Sequence, residues 1–151
     1  MEEIKQLIKE LLHDAPLFTL ATCVDNQPWC CDMIFVWDQD FNMYWLSSPN
    51  ARHSQDIEKN PKVAATVTMV DEQGKGRSLQ IEGTCRVIQD DKRRFEADKN
   101  FKDRHHMTGL LTIEQALEET KKLNLYQLNP TKIYLTHEPK FGRERKEFIS
   151  N

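Results

Sequence analysis

From Phe18 to Ile88 the chain repeats one pattern: a short run of β-forming residues, then a tight cluster of turn residues. That spacing is the signature of an antiparallel meander. Phe18 to Val24 reads as a first strand, Trp29 to Trp37 as a second and Phe41 to Leu46 as a third. Asp25-Asn26-Gln27-Pro28 and Asp38-Gln39-Asp40 are the turns between them. A helix is predicted from Ala51 to Lys59, stopped at Asn60-Pro61 because proline disfavours helix in the residue before it. Val63 to Val70 is a nearly continuous apolar run, which predicts a central, buried strand. Leu79 to Ile88 follows, and Gly83 within it marks a bulge or bend where the wall must curve.

Outside that stretch, Ile4, Leu7, Ile8, Leu11 and Leu12 fall at helical spacing, and Pro16 closes the helix region. Asp90 to Asn124 is helical in pattern and highly charged, with Gly109 separating two helices. Two more strands are predicted, Leu125 to Leu128 and Lys132 to Thr136. The basic tail Lys140 to Lys146 is expected to order only against a partner or ligand. With 151 residues, the chain fits a single domain, residues 1–151. About six short strands in one domain of this size favour a small barrel over an open parallel sheet.

Charge and composition remove several classes. A net charge of −3 and a pI of about 6.0 give no long-range field for nucleic acid or an anionic membrane. No apolar run reaches the roughly 20 residues that span a bilayer, and Met1-Glu2-Glu3 is acidic where a signal peptide is basic. The expected setting is cytoplasmic. Cys23, Cys30, Cys31 and Cys85 form no CxxC pair, so reduced, mostly buried thiols are expected. His105-His106 beside Asp103 invites a metal, but neighbours on a helix diverge by about 100°, so no metal site is predicted. No nucleophile–base pair, Walker loop or GxGxxG element supports a hydrolase, kinase or Rossmann reading.

The segment that carries chemistry is Ser47-Ser48-Pro49-Asn50-Ala51-Arg52-His53, between a strand end and a helix start. Ser48 suits an N-cap with Pro49 in the first helical position, and Asn50 is the competing cap. Either choice leaves backbone N–H groups free at the positive end of a helix dipole, where an anion is favoured. Arg52 adds a forked donor that matches phosphate oxygens, His53 a second donor, and Ser47 or Ser48 hydroxyls.

With its flanks, this segment resembles the pyridoxamine 5′-phosphate oxidase-like FMN-binding split-barrel superfamily. The resemblance rests on Ala51-Arg52-His53-Ser54-Gln55-Asp56-Ile57-Glu58-Lys59-Asn60-Pro61-Lys62-Val63, which is similar to the family's phosphate-binding helix. Phe18-Thr19-Leu20-Ala21-Thr22 with Asn26-Gln27-Pro28 resembles its first hairpin, and Leu79-Gln80-Ile81-Glu82-Gly83 its Val-Arg-Ile-Glu-Gly strand. The resemblance implies a mainly β fold with flanking helices, an antiparallel six-stranded split β-barrel of Greek-key type, with FMN as cofactor. It places Arg52 and His53 at the two basic phosphate positions and Ser47 near the phosphate or ribityl chain, while Ser48 is a candidate from its position at the helix start. Cys31, Asp32, Met33 and Ile34 match the strand whose backbone runs along the isoalloxazine ring, and Gln80 a polar residue that reaches the flavin from the adjacent strand. It also implies a homodimer with the cofactor at the subunit interface.

Two departures stand out. His53 replaces a lysine common in the family and is a pH-dependent cation. The C-terminal Trp and Arg-x-His elements of true pyridoxamine phosphate oxidases have no close match, and nothing in the sequence fixes the register of Arg143 and Arg145. The expectation is therefore an FMN-dependent oxidoreductase of unnamed small-molecule substrate, with NADH or NADPH as candidate donors. The alternatives are a non-catalytic flavin carrier or sensor, and a haem-binding variant using His53, His105, His106 or His137.

Overall fold

Asp25 and Asn26, both in the left-handed region (φ 51° and 60°), make the two-residue turn that joins β1 (Phe18–Val24) to β2 (Gln27–Met33). Short polar side chains tolerate that conformation, and its twist matches a hairpin. The computed structural model describes residues 1–90, 92–93, 100 and 121–148. Most of the charged stretch expected to be two helices, with Asp103, His105, His106 and Gly109, lies outside the described residues. The other elements are α1 (Glu2–Asp14), β3 (Val36–Trp37), β4 (Met43–Ser47), α2 (Arg52–Lys59), β5 (Lys62–Val70), β6 (Gly76–Ile88), β7 (Asn124–His137), the short α3 (Glu138–Phe141) and β8 (Arg145–Phe148).

All pairings are antiparallel, and the strands run in the order β2-β1-β5-β6-β7-β4-β3, with β8 also on β7. The fold is mainly antiparallel β with flanking helices, as expected, but among the described residues the sheet is open and has eight strands rather than six. Strand by strand, three local differences separate the segments read from the sequence from those observed. The expected Trp29–Trp37 strand breaks where Phe35, fully buried, packs its ring 5.4 Å from Phe18. The two strands expected at Leu125–Leu128 and Lys132–Thr136 are one, β7, running through Pro130. The tail supplies β8, ordered by pairing with β7 rather than by a partner or ligand.

Pro130 survives inside a strand because of Gly83. The register shifts between Glu82 and Gly83, with Glu82 opposite Lys132 and Gly83 opposite Pro130, which leaves Thr131 as the extra residue of a bulge. A Cβ on Gly83 would sit 2.6 Å from the Asn129 carbonyl oxygen. The predicted bulge is therefore present, and the glycine is there for close approach. On the other side of β7, pairing with β4 ends at Leu128 and pairing with β8 begins at Ile133, so no neighbour needs a Pro130 N–H.

The core lies on the concave side of the sheet. Ile8, Leu11 and Leu12 of α1 are buried against Phe18, Leu20, Trp45, Val67, Leu79, Leu128 and Leu135, which is the apolar stripe read from the sequence. β5 is central, between β1 and β6, but only half buried: Val63, Ala65 and Val67 face the core while Ala64, Thr66 and Thr68 are exposed. Along β5 the convex face therefore presents small, uncharged residues from Ala64 to Thr68, while Glu82 and Lys132 form an ion pair on the neighbouring strands.

Candidate functional site

The β4–α2 connection does not form the cap expected of it. Ser48 Oγ accepts from the Asn50 N–H at 3.2 Å, and its carbonyl accepts from the Ala51 N–H at 3.1 Å. These bonds build a turn, so the helix starts later, with Ala51 as an N-cap that has no side-chain hydrogen bond. The first intrahelical bond runs from the Gln55 N–H to the Ala51 carbonyl at 3.1 Å. The N–H groups of Arg52, His53 and Ser54 precede it and have no helical acceptor.

Four side chains converge on this end. Ser47 Oγ lies 2.7 Å from His53 Nε2. Burial lowers the His53 pKa from its ordinary value, and the Asp56 charge opposes that shift. Ser54 Oγ is buried and has no partner, a polar group that costs free energy until something bonds it. Arg52 sits with its guanidinium carbon 4.2 Å from the centre of the Trp29 ring and its Nε 3.9 Å from Asp56 Oδ2. The same oxygen accepts from Thr22 Oγ1 at 2.7 Å. Asp56 thus tethers α2 to β1 and sets Arg52 against β2, while the arginine side chain stays about half exposed (48%).

The sequence-nominated residues divide into two groups. Ser47, Ser48, Arg52 and His53 are together at the α2 start. On β2, Cys31 and Met33 stand opposite Leu20 and Phe18 and pack on the core, whereas Asp32 projects to the convex face. There Asp32 accepts from Thr19 Oγ1 at 2.5 Å. Burial pushes the Cys31 thiol up, with Cys30, Asp32 and Asp56 adding to it, so it is no thiolate nucleophile. Ile34 is 40% exposed just beyond β2, whose outer edge has no neighbouring strand among the described residues.

Gln80 stands apart. It shares a cross-strand row with Thr66, Thr19 and Asp32, three strand spacings or about 14 Å from Asp32. Its side chain meets Arg145 instead. Within one chain Gln80 does not join the residues of β2 and the α2 start.

Sequence reasoning missed Ser54, Asp56, Thr22 and Trp29. The i, i+4 spacing of Arg52 and Asp56 was a usable signal. The pairing of Thr22 with Trp29 across the hairpin requires knowing the register. Among the described residues no cluster of three or more metal-ligating side chains occurs. No described helix is long and apolar enough to cross a membrane.

The family profile described as Pyridoxamine 5′-phosphate oxidase matches residues 4–137. The chain belongs to this family. No curated protein matches in sequence, but solved structures match the fold. General Stress Protein 26 from Bacillus anthracis superposes with a TM-score of 0.70 at 18% identity, over 97% of this chain and 99% of that one. A FAD-binding protein from Mesorhizobium loti gives 0.67 at 14% identity, over 83% and 88%. A heme-binding protein from Mycobacterium smegmatis gives 0.75 at 11% identity, over 97% of this chain and 57% of that one. The family membership and the split-barrel fold that the sequence resembled thus hold.

Proposed function

We propose that the protein is an FMN-dependent oxidoreductase that works as a homodimer, with Ser47, Ser48, Arg52 and His53 holding the flavin phosphate. The observation that carries this reading is the unfilled hydrogen-bonding capacity at the α2 start: three backbone N–H groups without helical acceptors and a buried Ser54 hydroxyl without a partner. Arg52 and His53 flank them with a cation and a titratable donor. The donor set fits a phosphate monoester dianion in charge, number and kind. Bound FMN would supply hydride or electron transfer at its ring, while the chain binds, orients and shields it. No acid–base residue is required of the protein for that chemistry.

The separation of Asp32 and Gln80 supports the dimer. A flavin anchored at Arg52 and lying along Cys31, Asp32, Met33 and Ile34 does not need the Gln80 of its own chain. A second copy packed on the convex face offers one. Ala21, Ala64 and Thr66 suit such packing, because short side chains allow sheets to approach closely. Four free thiols, of which only Cys85 is buried where most were expected to be, fit the reducing cytoplasm as its setting. A small-molecule substrate and NADH or NADPH as donor remain part of the proposal.

The heme-binding relative favours a second reading, haem on the same barrel. Of the histidines named for it, His53 already faces Ser47. His137 Nδ1 is buried without a partner and its ring packs near Phe141. The visible absorption spectrum of the purified protein, before and after adding FMN, separates the readings. A flavin spectrum is expected; a Soret band replaces FMN by haem, and a colourless protein that binds no added FMN overturns both. Reduction of the bound flavin by NADH or NADPH, followed by reoxidation, distinguishes an oxidoreductase from a carrier or sensor.

A further inference from the structure

The tail was the part of the sequence with no assigned register. In the structure β8 fixes it: Arg145 pairs with Thr136 and Glu147 with Tyr134. Arg143 points into solvent, 94% exposed, but Arg145 is brought to the convex face. Its guanidinium lies 4.8 Å from the centre of the Tyr134 ring, and its Nη1 donates to Gln80 Oε1 at 3.0 Å. Tyr134 is the cross-strand neighbour of Gln80, so ring, guanidinium and amide form one cluster. Among the described residues no carboxylate lies within ion-pair distance of Arg145, and its charge faces outward uncompensated.

The chemistry of this contact settles which way the amide points. Arginine has donors only, so the atom it meets must be the carbonyl oxygen of Gln80, and the Nε2 hydrogens must face away. The usual ambiguity of a glutamine side chain is absent here. Cation–π packing on Tyr134 holds the guanidinium in the pose that makes the bond.

We propose that Arg145 is a positioning residue that locks the Gln80 amide with its two N–H donors outward, so that this point of the convex face accepts a ligand edge rich in hydrogen-bond acceptors. The proposal rests on the flavin reading above, in which that edge is the carbonyl-bearing pyrimidine end of FMN presented by a second copy. It assigns a role to a tail residue and a polarity to the contact. A ligand group that donates at this point would meet two donors and a cation, and would be rejected.

The test uses the full-length protein with Arg145→Met, which keeps the packing stem and removes every donor, and Gln80→Met. In the apo protein, the Gln80 side-chain NH2 resonances in a glutamine-labelled nitrogen–proton spectrum should shift on Arg145→Met, with far-ultraviolet circular dichroism unchanged. FMN affinity should fall about three- to tenfold in either single variant, the range of one hydrogen bond. The double variant should be no weaker than Gln80→Met alone, because Arg145 acts through Gln80. Arg145→Lys, which keeps the charge without the fork, should restore part of the loss. Unchanged Gln80 resonances, wild-type affinity in Arg145→Met, or additive losses in the double variant would overturn the proposal. Failure of the wild-type protein to bind FMN overturns the flavin reading instead, and the resonance test still decides the positioning role.

Discussion

At Arg52 three interactions compete for one guanidinium: the Trp29 ring, the Asp56 carboxylate and, in the proposed function, a phosphate. The Asp56 contact is long, 3.9 Å, and Asp56 is already bonded to Thr22, so Arg52 is aligned but not consumed. A guanidinium half in solvent contributes little to folding through such a pair. Arg52→Ala should therefore leave thermal stability nearly unchanged while weakening FMN by about 1.5–3 kcal/mol, the range for a charge-assisted hydrogen bond; parallel melting and titration check both halves. Ser54→Ala removes a buried hydroxyl that has no partner. It should leave the free protein as stable or more so and still reduce FMN affinity, which a melting curve with and without FMN reads directly. His53 adds a pH dependence whose sign can be worked out. Its pKa in the folded chain is lowered, chiefly by burial, so folding favours the neutral ring. That contribution is present above the unfolded value and is lost as pH falls from it through the folded one. A bound phosphate reverses the preference, because a dianion favours the imidazolium. FMN affinity should then fall as pH rises through the His53 pKa of the complex, and His53→Gln should flatten the profile.

At the scale of elements, the strands and α1 were legible in the sequence because their patterns are short-range: alternation, turn residues and an apolar stripe. What was not legible depended on contacts between distant segments. The break of the second strand reflects Phe35 turning onto Phe18, and a run of β-forming residues gives no sign of it. The fusion of two strands into β7 required Gly83 and Pro130 to meet across the ladder, although Gly83 itself was read correctly as a bulge. The cap of α2 shows a smaller failure: the helix begins within one residue of the predicted Ala51, but Ser48, read as a cap, makes a turn instead. Gly83→Ala forces a Cβ into the Asn129 carbonyl and should cost about 1–3 kcal/mol, as overpacking does. Chemical denaturation measures it, and an unchanged midpoint would mean that the bulge shifts freely. The Asp38 turn is a further element-scale feature: its carboxylate accepts from the Asp40 and Asn42 N–H groups and from Tyr44. Burial and that bond push the Tyr44 pKa up to about 12, which keeps the phenol a neutral donor.

For the whole molecule, the end of the site proposed to hold the phosphate could be nominated from Ser47 to His53, since a helix start with flanking donors is a local feature. The other end was not, because Gln80 and Arg145 are brought together by pairing β6, β7 and β8. The half-buried β5 is the molecule-scale sign of a missing layer: its run of small and apolar residues looked like a strand covered on both faces, and one chain covers only one. If a second copy supplies the other, Ala64→Arg should yield a folded monomer by light scattering and lose FMN as well. A monomer that still holds FMN tightly would refute the shared site. The central claim, that the α2 start holds a flavin phosphate, is tested most directly by titrating the protein with FMN and with riboflavin, which lacks only the phosphate. FMN should bind at least tenfold more tightly, and Arg52→Ala should remove most of that difference. Equal affinity for the two, or a difference that survives Arg52→Ala, would contradict the account.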